Sequence, residues 1–421
     1  MARKKKAARR QKPVRVGVVG AFRGHSLAQG AASAGMELVA ICDIWKERLK
    51  RVGKELGVAT YTKFEKFLEH DMDAVILANF FHEHAPFAVK ALDAGLHVMS
   101  ETSACKTLAE GVELCRAVER SGKAYMFAEN YPYTAASQEM QRLYEEGELG
   151  RVLYAEGEYN HPMPEDARLG MSVGMDHWRN QIPPTYYCTH ALAPLMCITD
   201  TMPTSVNCLA IADKDQKKKA ARVSDPGAVI LCQMDNGAVF RIFGLCIPGH
   251  SIWYRLHGTR GLMETVRGPG YWGPGSIRVM HDDWDRKRGE LTERVYFPDF
   301  PEFADEARRA GHGGGDFWTN FHFVRAIRSG KQPYLDVYRG VAMSAVGILG
   351  WKSALENGIP FEMPDFKDES KRAAYADDHW APFPVDGSPD QPAPSILGRI
   401  KPSKKVLEHA RELWKGMGYE E

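Results

Sequence analysis

The apolar pattern along the first third of the chain switches repeatedly between two periods. A β-branched run, VRVGVVG (14–20), ends on glycine and is followed by a segment of helical period, AFRGHSLAQGAASAG. A second apolar run, MELVAICD (36–43), closes on an acidic residue. DAVILANF (73–80) then reads as a strand, HAPFAVKALDAG (84–95) as a helix, LHVMSE (96–101) as a strand, TLAEGVELCRAVERSG as a helix and KAYMFAENY as a strand. Short, unbroken apolar runs alternating with helical segments indicate buried parallel strands covered by helices. The pattern predicts an α/β domain with a doubly wound parallel sheet, binding its ligand beyond the C-terminal ends of the strands.

Beyond residue 150 the period changes. RVLYAEGEYNH, TSVNCLAIA, GAVILCQM, AVFRIFGLC and SIWYRLHGT are β-rich, and DNG (235–237) is a hairpin signal. This predicts a large, mainly antiparallel sheet. FWTNFHFVRAIRSG and YRGVAMSAVGILGWKSALENG return to helical period, each ending at glycine. The chain therefore divides into a basic disordered tail (1–13), a nucleotide-binding domain (14–134) and a substrate and dimerisation α/β domain (135–365). A proline-rich arm with a short C-terminal helix (366–421) follows, lying over the surface or onto a partner subunit.

The strand–turn–helix–strand unit at the start has the layout of a dinucleotide site. Its glycine turn faces the pyrophosphate, and Asp43 is placed for the adenosine ribose. An acidic residue there favours NAD over NADP. Gly20, Phe22, Arg23 and Gly24 form the predicted phosphate turn. Counted as G-x-G-x-x-G, however, the turn has Phe22 and His25 where glycines are expected.

Composition narrows the classes. With 44% hydrophobic and 26% charged residues and a net charge of +1, the chain reads as a globular protein without a field for nucleic acid. The run ARKKKAARRQK (2–12) lacks aromatics and an apolar face, so it reads as a solvated tail. No stretch has the length and apolarity of a membrane span. The eight cysteines show no CxxC pair, which suits a reducing cytoplasm.

PPTYYCTHALAP (183–194) places Tyr187 and His190 three apart, on one face of a predicted helix that Pro194 should kink or end. Taken alone, these residues suit a hydrogen-bonded core as well as a catalytic site. VGVVGAFRG, ICD, LANFFHEHAPFAVKALDAGLHVMSET and a later HWRN together resemble the Gfo/Idh/MocA oxidoreductases over roughly residues 14 to 360. The resemblance implies a Rossmann domain followed by an α/β domain with a large sheet, in a homo-oligomer (dimer or tetramer). Typical dehydrogenases of that family carry a lysine after the strand-five glutamate and an aspartate four residues before the histidine. Here Thr102 and Tyr186 stand in those places.

A closer likeness is to the NAD-dependent glycosidases of glycoside hydrolase family 109. Tyr187-Cys188-Thr189-His190-Ala191-Leu192-Ala193-Pro194 resembles their Tyr-x-Thr-His-x-Leu-x-Pro motif, and Glu129-Asn130-Tyr131-Pro132-Tyr133 their Glu-Asn-x-x-Tyr. Trp178-Arg179 and GHGGGDF (311–317) have counterparts as well. The resemblance implies a catalytic set of Glu101, Tyr133, Tyr187 and His190, with Asn79, His84, Glu101 and Asn130 on the cofactor side. Arg179, Trp178 and His161 would face a small carbohydrate substrate. It further implies hydrolysis by transient oxidation at C3, elimination, water addition and re-reduction. A conventional sugar dehydrogenase and a nucleotide-bound regulatory protein are the rival readings. HDDWDRKRGE (281–290) reads as a solvated loop, and no convincing metal-ligand set is found.

Overall fold

The computed structural model describes residues 12–267, 275–383 and 391–419. The basic tail lies almost wholly outside the described residues, as does part of the proline-rich stretch. Six strands, β1 (Val14–Val19), β2 (Met36–Cys42), β3 (Ala59–Tyr61), β4 (Ala74–Leu77), β5 (His97–Ser100) and β6 (Tyr125–Phe127), form a parallel sheet of order β3-β2-β1-β4-β5-β6. The order reverses between β1 and β4, which opens the crevice where such sheets bind ligands. Val16 and Val18 of β1 and all of β4 are fully buried, as expected of strands covered on both faces.

The second sheet has nine strands: β7 (Val152–Asn160), β8 (Pro203–Ile211), β9 (Gly227–Met234), β10 (Val239–Leu245), β11 (Ser251–Gly258), β12 (Leu262–Thr265), β13 (Ile277–Met280), β14 (Glu293–Tyr296) and β15 (Phe361–Glu362). Their order is β14-β13-β12-β11-β7-β10-β9-β8-β15, with β7 and β10 parallel and the other pairs antiparallel. The sequence expectation of an α/β fold with a parallel domain and a mainly antiparallel one is met.

The helix Thr189–Thr199, buried at every position, lies on this sheet. Its approach depends on Gly157 of β7, where a methyl group would overlap the carbonyl of Ala191. Pro194 does not end this helix. Proline removes the N–H that would bond four residues back, to the carbonyl of His190. That carbonyl instead accepts from the hydroxyl of buried Tyr254 at 2.8 Å, so the helix runs through the proline. Tyr187 lies outside the helix, closing the 3-10 turn Pro184–Tyr187.

The long helix Val337–Leu355 joins the two domains. Gly340 packs on Phe127 of β6, Gly347 packs on the backbone of Thr185, and Ser344 Oγ accepts from Ala104 N at 2.9 Å. The C-terminal segment folds back on its own chain: Asp225 holds Ser395 Oγ at 2.7 Å and Ile396 N at 2.8 Å. The last helix, Lys404–Gly416, buries Trp414, whose indole N–H donates to Leu169 O at 3.0 Å. An amphipathic stripe needs a partner, and the helix Glu165–Met171 supplies it here. All eight cysteines are free, and seven are buried. Among the described residues no helix is long and apolar enough to cross a membrane.

Adding one methyl group tests the close approach. Gly157→Ala should destabilise the fold by about 1–3 kcal/mol in denaturant titration, because rigid backbone must move. Gly170→Ala, where the added carbon meets nothing within 4 Å, should stay within about 1 kcal/mol. Equal effects would remove the special role of Gly157.

Candidate active site

The first turn accommodates a dinucleotide in spite of its missing glycines. Gly20 has φ +101°, and a side chain there would strike the backbone of Ala78. The close strand–helix packing that the third glycine gives is supplied by Gly24, whose added methyl would overlap Val18. His25 is therefore not the position that had to be glycine. Phe22 turns outward, 51% exposed, with the Arg48 guanidinium 4.5 Å from its ring centroid. Asp43 is fixed at the end of β2 by Ala21 N at 2.6 Å and Trp45 N at 2.7 Å. Gly20, Gly24 and Asp43 thus fit the cofactor, and Phe22 stands clear of the turn.

Arg23 ties the two halves of the molecule together. Its Nε donates to Glu101 Oε1 at 2.6 Å, and its two terminal nitrogens donate to the two Asp316 oxygens at 2.8 Å each. Asp316 also meets His312 Nδ1 at 3.0 Å and accepts from Asn130 Nδ2 at 3.2 Å. Burial works against both charges. Even so, Glu101 and Asp316 hold the Arg23 pKa above its ordinary value, and Arg23 and His312 hold the Asp316 carboxyl below the usual range. Arg23 and Asn130, grouped by sequence with the cofactor contacts, are thus also parts of an ion network that fixes Glu101. Asp316 was not singled out beforehand; its signal was its place in GHGGGDF, where Gly315 lies against the Asn130 backbone.

His190 is the centre of the second group. Its Nδ1 lies 2.7 Å from Oε1 of Glu129, which is fully buried just past β6. Three tyrosine rings surround the imidazole, Tyr159 at 4.6 Å and Tyr131 and Tyr187 at 5.0 Å. Burial pushes both Tyr131 and Tyr159 well above the ordinary tyrosine range. Contact between their hydroxyls favours the ionised form of Tyr131 over that of Tyr159.

Tyr133 does not join this group. Its ring lies 4.9 Å from that of His322, and its pKa is raised by burial first, then by Cys197 and Tyr334. The residues Tyr131–Tyr133 form a 3-10 turn, so two residues of spacing carry the side chain to a different wall. Tyr131 stands beside His190 in its place. Neither Glu129 nor Tyr131 was selected from sequence, although both lie in the quoted Glu-Asn-Tyr-Pro-Tyr segment.

The remaining expected residues spread around these two groups. Asn79 Nδ2 donates to Glu83 at 3.2 Å, and buried His84 meets the Ser103 carbonyl at 2.9 Å. Burial lowers the His84 pKa. Trp178 stacks 6.2 Å from Tyr187, Arg179 covers Trp178 at 4.3 Å, and His161 lies 5.9 Å from Tyr159. In the acidic loop, His281 is buried rather than solvated and meets Glu148 at 2.9 Å. Glu148, His281 and Glu290 come close enough to share an ion, but Arg294 and Arg260 already hold the two carboxyls.

Comparisons with known proteins agree with this fold. Residues 14–129 match the oxidoreductase family with an NAD-binding Rossmann fold, and 137–264 match the GFO/IDH/MocA C-terminal domain. Residues 228–372 match the C-terminal domain of glycosyl hydrolase 109. A glycosyl hydrolase family 109 protein of Saccharopolyspora erythraea is 26% identical over 84% of this chain and 83% of its own. An alpha-N-acetylgalactosaminidase of Tannerella forsythia is also 26% identical, over 79% and 81%. A levoglucosan dehydrogenase solved with NADH and L-sorbose superposes with TM-score 0.72 at 19% identity, over 84% of this chain and all of that one. With the glycine turn, Asp43 at the end of β2 and the second-domain sheet in place, this chain is an NAD-binding oxidoreductase of the Gfo/Idh/MocA family whose residues 228–372 match the glycosyl hydrolase 109 C-terminal domain.

Proposed function

We propose that the protein cleaves a glycosidic bond in a carbohydrate by a redox route, with NAD retained through each turnover. The observation that carries this reading is the buried Glu129–His190 pair inside its ring of tyrosines. A glycosidase of the common type needs two carboxyls flanking the bond, as acid and as base or nucleophile. Here Glu101 is committed to Arg23 and Glu129 to His190. NAD, when bound, supplies a hydride acceptor for the sugar's C3 and returns the hydride before the product leaves.

The chain's own groups handle protons. Glu129 fixes Nδ1 of His190, which leaves Nε2 to take the C3 hydroxyl proton and give it back. The C3 ketone acidifies the C2 proton, and the Tyr131 hydroxyl relays it: its oxygen takes the C2 proton as its own proton passes to the departing group on C1, so the phenol stays neutral. Loss of that proton expels the group on C1; water then adds at C1 while C2 regains a proton, so the net change is hydrolysis. Tyr187 and Tyr159 enclose the imidazole and limit water around it. Glu101, held by Arg23, orients the sugar hydroxyls. Relatives named as glycosyl hydrolase family 109 proteins support the substrate class.

Retention of the cofactor is the direct test. Protein purified without added nucleotide and then denatured should release close to one NAD per chain, and nitrophenyl glycosides should be cleaved with no NAD added. Cofactor-free protein that reduces NAD in solution in step with sugar oxidation would replace this reading with a conventional dehydrogenase.

Substitution tests the placement of the tyrosines. Tyr131→Phe should lower kcat by at least about 100-fold, the scale of a lost proton-transfer group. Tyr133→Phe should change kcat by less than about threefold. The reverse ranking, read from steady-state kinetics, would assign the proton step to Tyr133.

A further inference from the structure

Two arginines on one side of the site have no carboxyl to balance them. Arg179 lays its guanidinium over the Trp178 ring at 4.3 Å and lies 5.8 Å from the Tyr187 centroid. Arg222 is 7% exposed; one terminal nitrogen reaches Cys246 Sγ at 2.7 Å, and its Nε has no hydrogen-bond partner. Among the described residues neither guanidinium forms an ion pair with a carboxyl. The nearby acids are committed elsewhere. Glu165 pairs with Arg168 at 2.6 Å and accepts from Ala221 N at 2.8 Å, while Asp225 holds Ser395 and Ile396. A buried charge without a counter-charge is costly to the fold, and folds keep one where a ligand supplies the opposite charge.

Backbone bonds tie the segments that carry both arginines to segments that border the His190 site. Val223 N donates to Asn180 O at 2.9 Å, which sets Arg222 beside the segment that carries Arg179. Cys246 N donates to Pro226 O at 3.1 Å, and His161 N to Leu245 O at 2.8 Å. His161 in turn lies 5.9 Å from Tyr159, which packs on His190. Ring contacts thus run from His161 through Tyr159, His190 and Tyr187 to Arg179, and Arg222 lies near enough to Arg179 to feel its charge. The charges act on this wall. Burial and then the charges of Arg168 and Arg179 push the Arg222 pKa down, against the opposing pull of Cys246 and Glu165. Burial and Arg179 bring His177 down to about 3, so it adds no positive charge at neutral pH.

We infer that the natural substrate is an anionic glycoside, whose carboxylate or sulfate group is held by Arg179 and Arg222. The inference rests on the proposed carbohydrate chemistry of this site and names its substrate class. Sugar hydroxyls are neutral and would leave both charges unbalanced. An oxyanion would offset them, and the planar guanidinium fork matches its geometry.

The test is calorimetric titration of the NAD-loaded protein with D-glucuronate, D-glucose 6-sulfate and D-glucose. At least one anion should bind about tenfold or more tighter than glucose, and the better of the two identifies the group. Arg222→Met and Arg179→Met should each weaken anion binding by about 10- to 100-fold, the scale of a charged hydrogen bond. Glucose binding should weaken by a smaller factor than anion binding in each variant, and Arg222→Lys should restore part of the loss. Arg179 is only half-buried, so its variant carries the test if Arg222→Met fails to fold by thermal denaturation. Equal binding of all three ligands, or anion binding unchanged in a folded Arg179→Met protein, overturns the inference. Binding is read without turnover, so Arg179-dependent anion binding by a protein that cleaves no glycoside would sustain the inference while the hydrolytic reading falls.

Discussion

The contact on which the site depends is the hydrogen bond between Glu129 and His190. Glu129 comes from the end of the cofactor domain's last strand, and His190 from the first turn of the second domain's central helix. The glutamate is fully buried and its second oxygen, Oε2, has no hydrogen-bond partner among the described residues. A buried carboxyl bonded on one side only is expensive, so relative movement of the domains that broke this bond would cost more still. The pair therefore does two things at once. It orients the imidazole, and it fixes the distance between the domain that binds NAD and the helix that faces the substrate.

The helix must then hold its own position to high precision, and the sequence supplies the means at three separate places. Gly157 lets the helix backbone approach the sheet, Pro194 frees the carbonyl of His190, and Tyr254 captures that carbonyl from β11. Each looks like a defect by local rules: a glycine in a strand, a proline in a helix and a buried hydroxyl. Together they satisfy every polar group involved. Helix and sheet are locked through His190's main chain, while its side chain remains available to Glu129 and to a ligand.

The alternation of apolar runs made the parallel sheet and the dinucleotide turn legible, because strand order, buried strands and an acidic strand end all follow from local pattern. The large second sheet was legible as well, from period-two segments and a hairpin turn. What sequence could not resolve was direction within short irregular segments. The stretch Tyr131–Tyr133 contains two identical side chains, and only the 3-10 turn decides which meets His190. Similarly, Glu129 falls in a run of buried residues where nothing local separates a structural acid from a positioning one. Arg23 and Asp316 are 293 residues apart, so no reading of the phosphate turn alone could pair them. Phe22 counted against nucleotide binding until its outward rotamer beneath Arg48 removed the conflict.

These pairings divide the site into two electrostatic halves. On the cofactor side the charges of Arg23, Glu101 and Asp316 are paired with one another, and His312 meets Asp316. A closed network of this kind is rigid and indifferent to what binds next to it, which suits a surface beside an NAD site. On the far side, among the described residues, Arg179 and Arg222 have no carboxyl partner and rest against an aromatic face and a thiol. Open charges respond to whatever enters. The balanced half can fix the reaction's geometry and the unbalanced half can choose the substrate, because only in the latter does binding complete an interaction the protein leaves unmade.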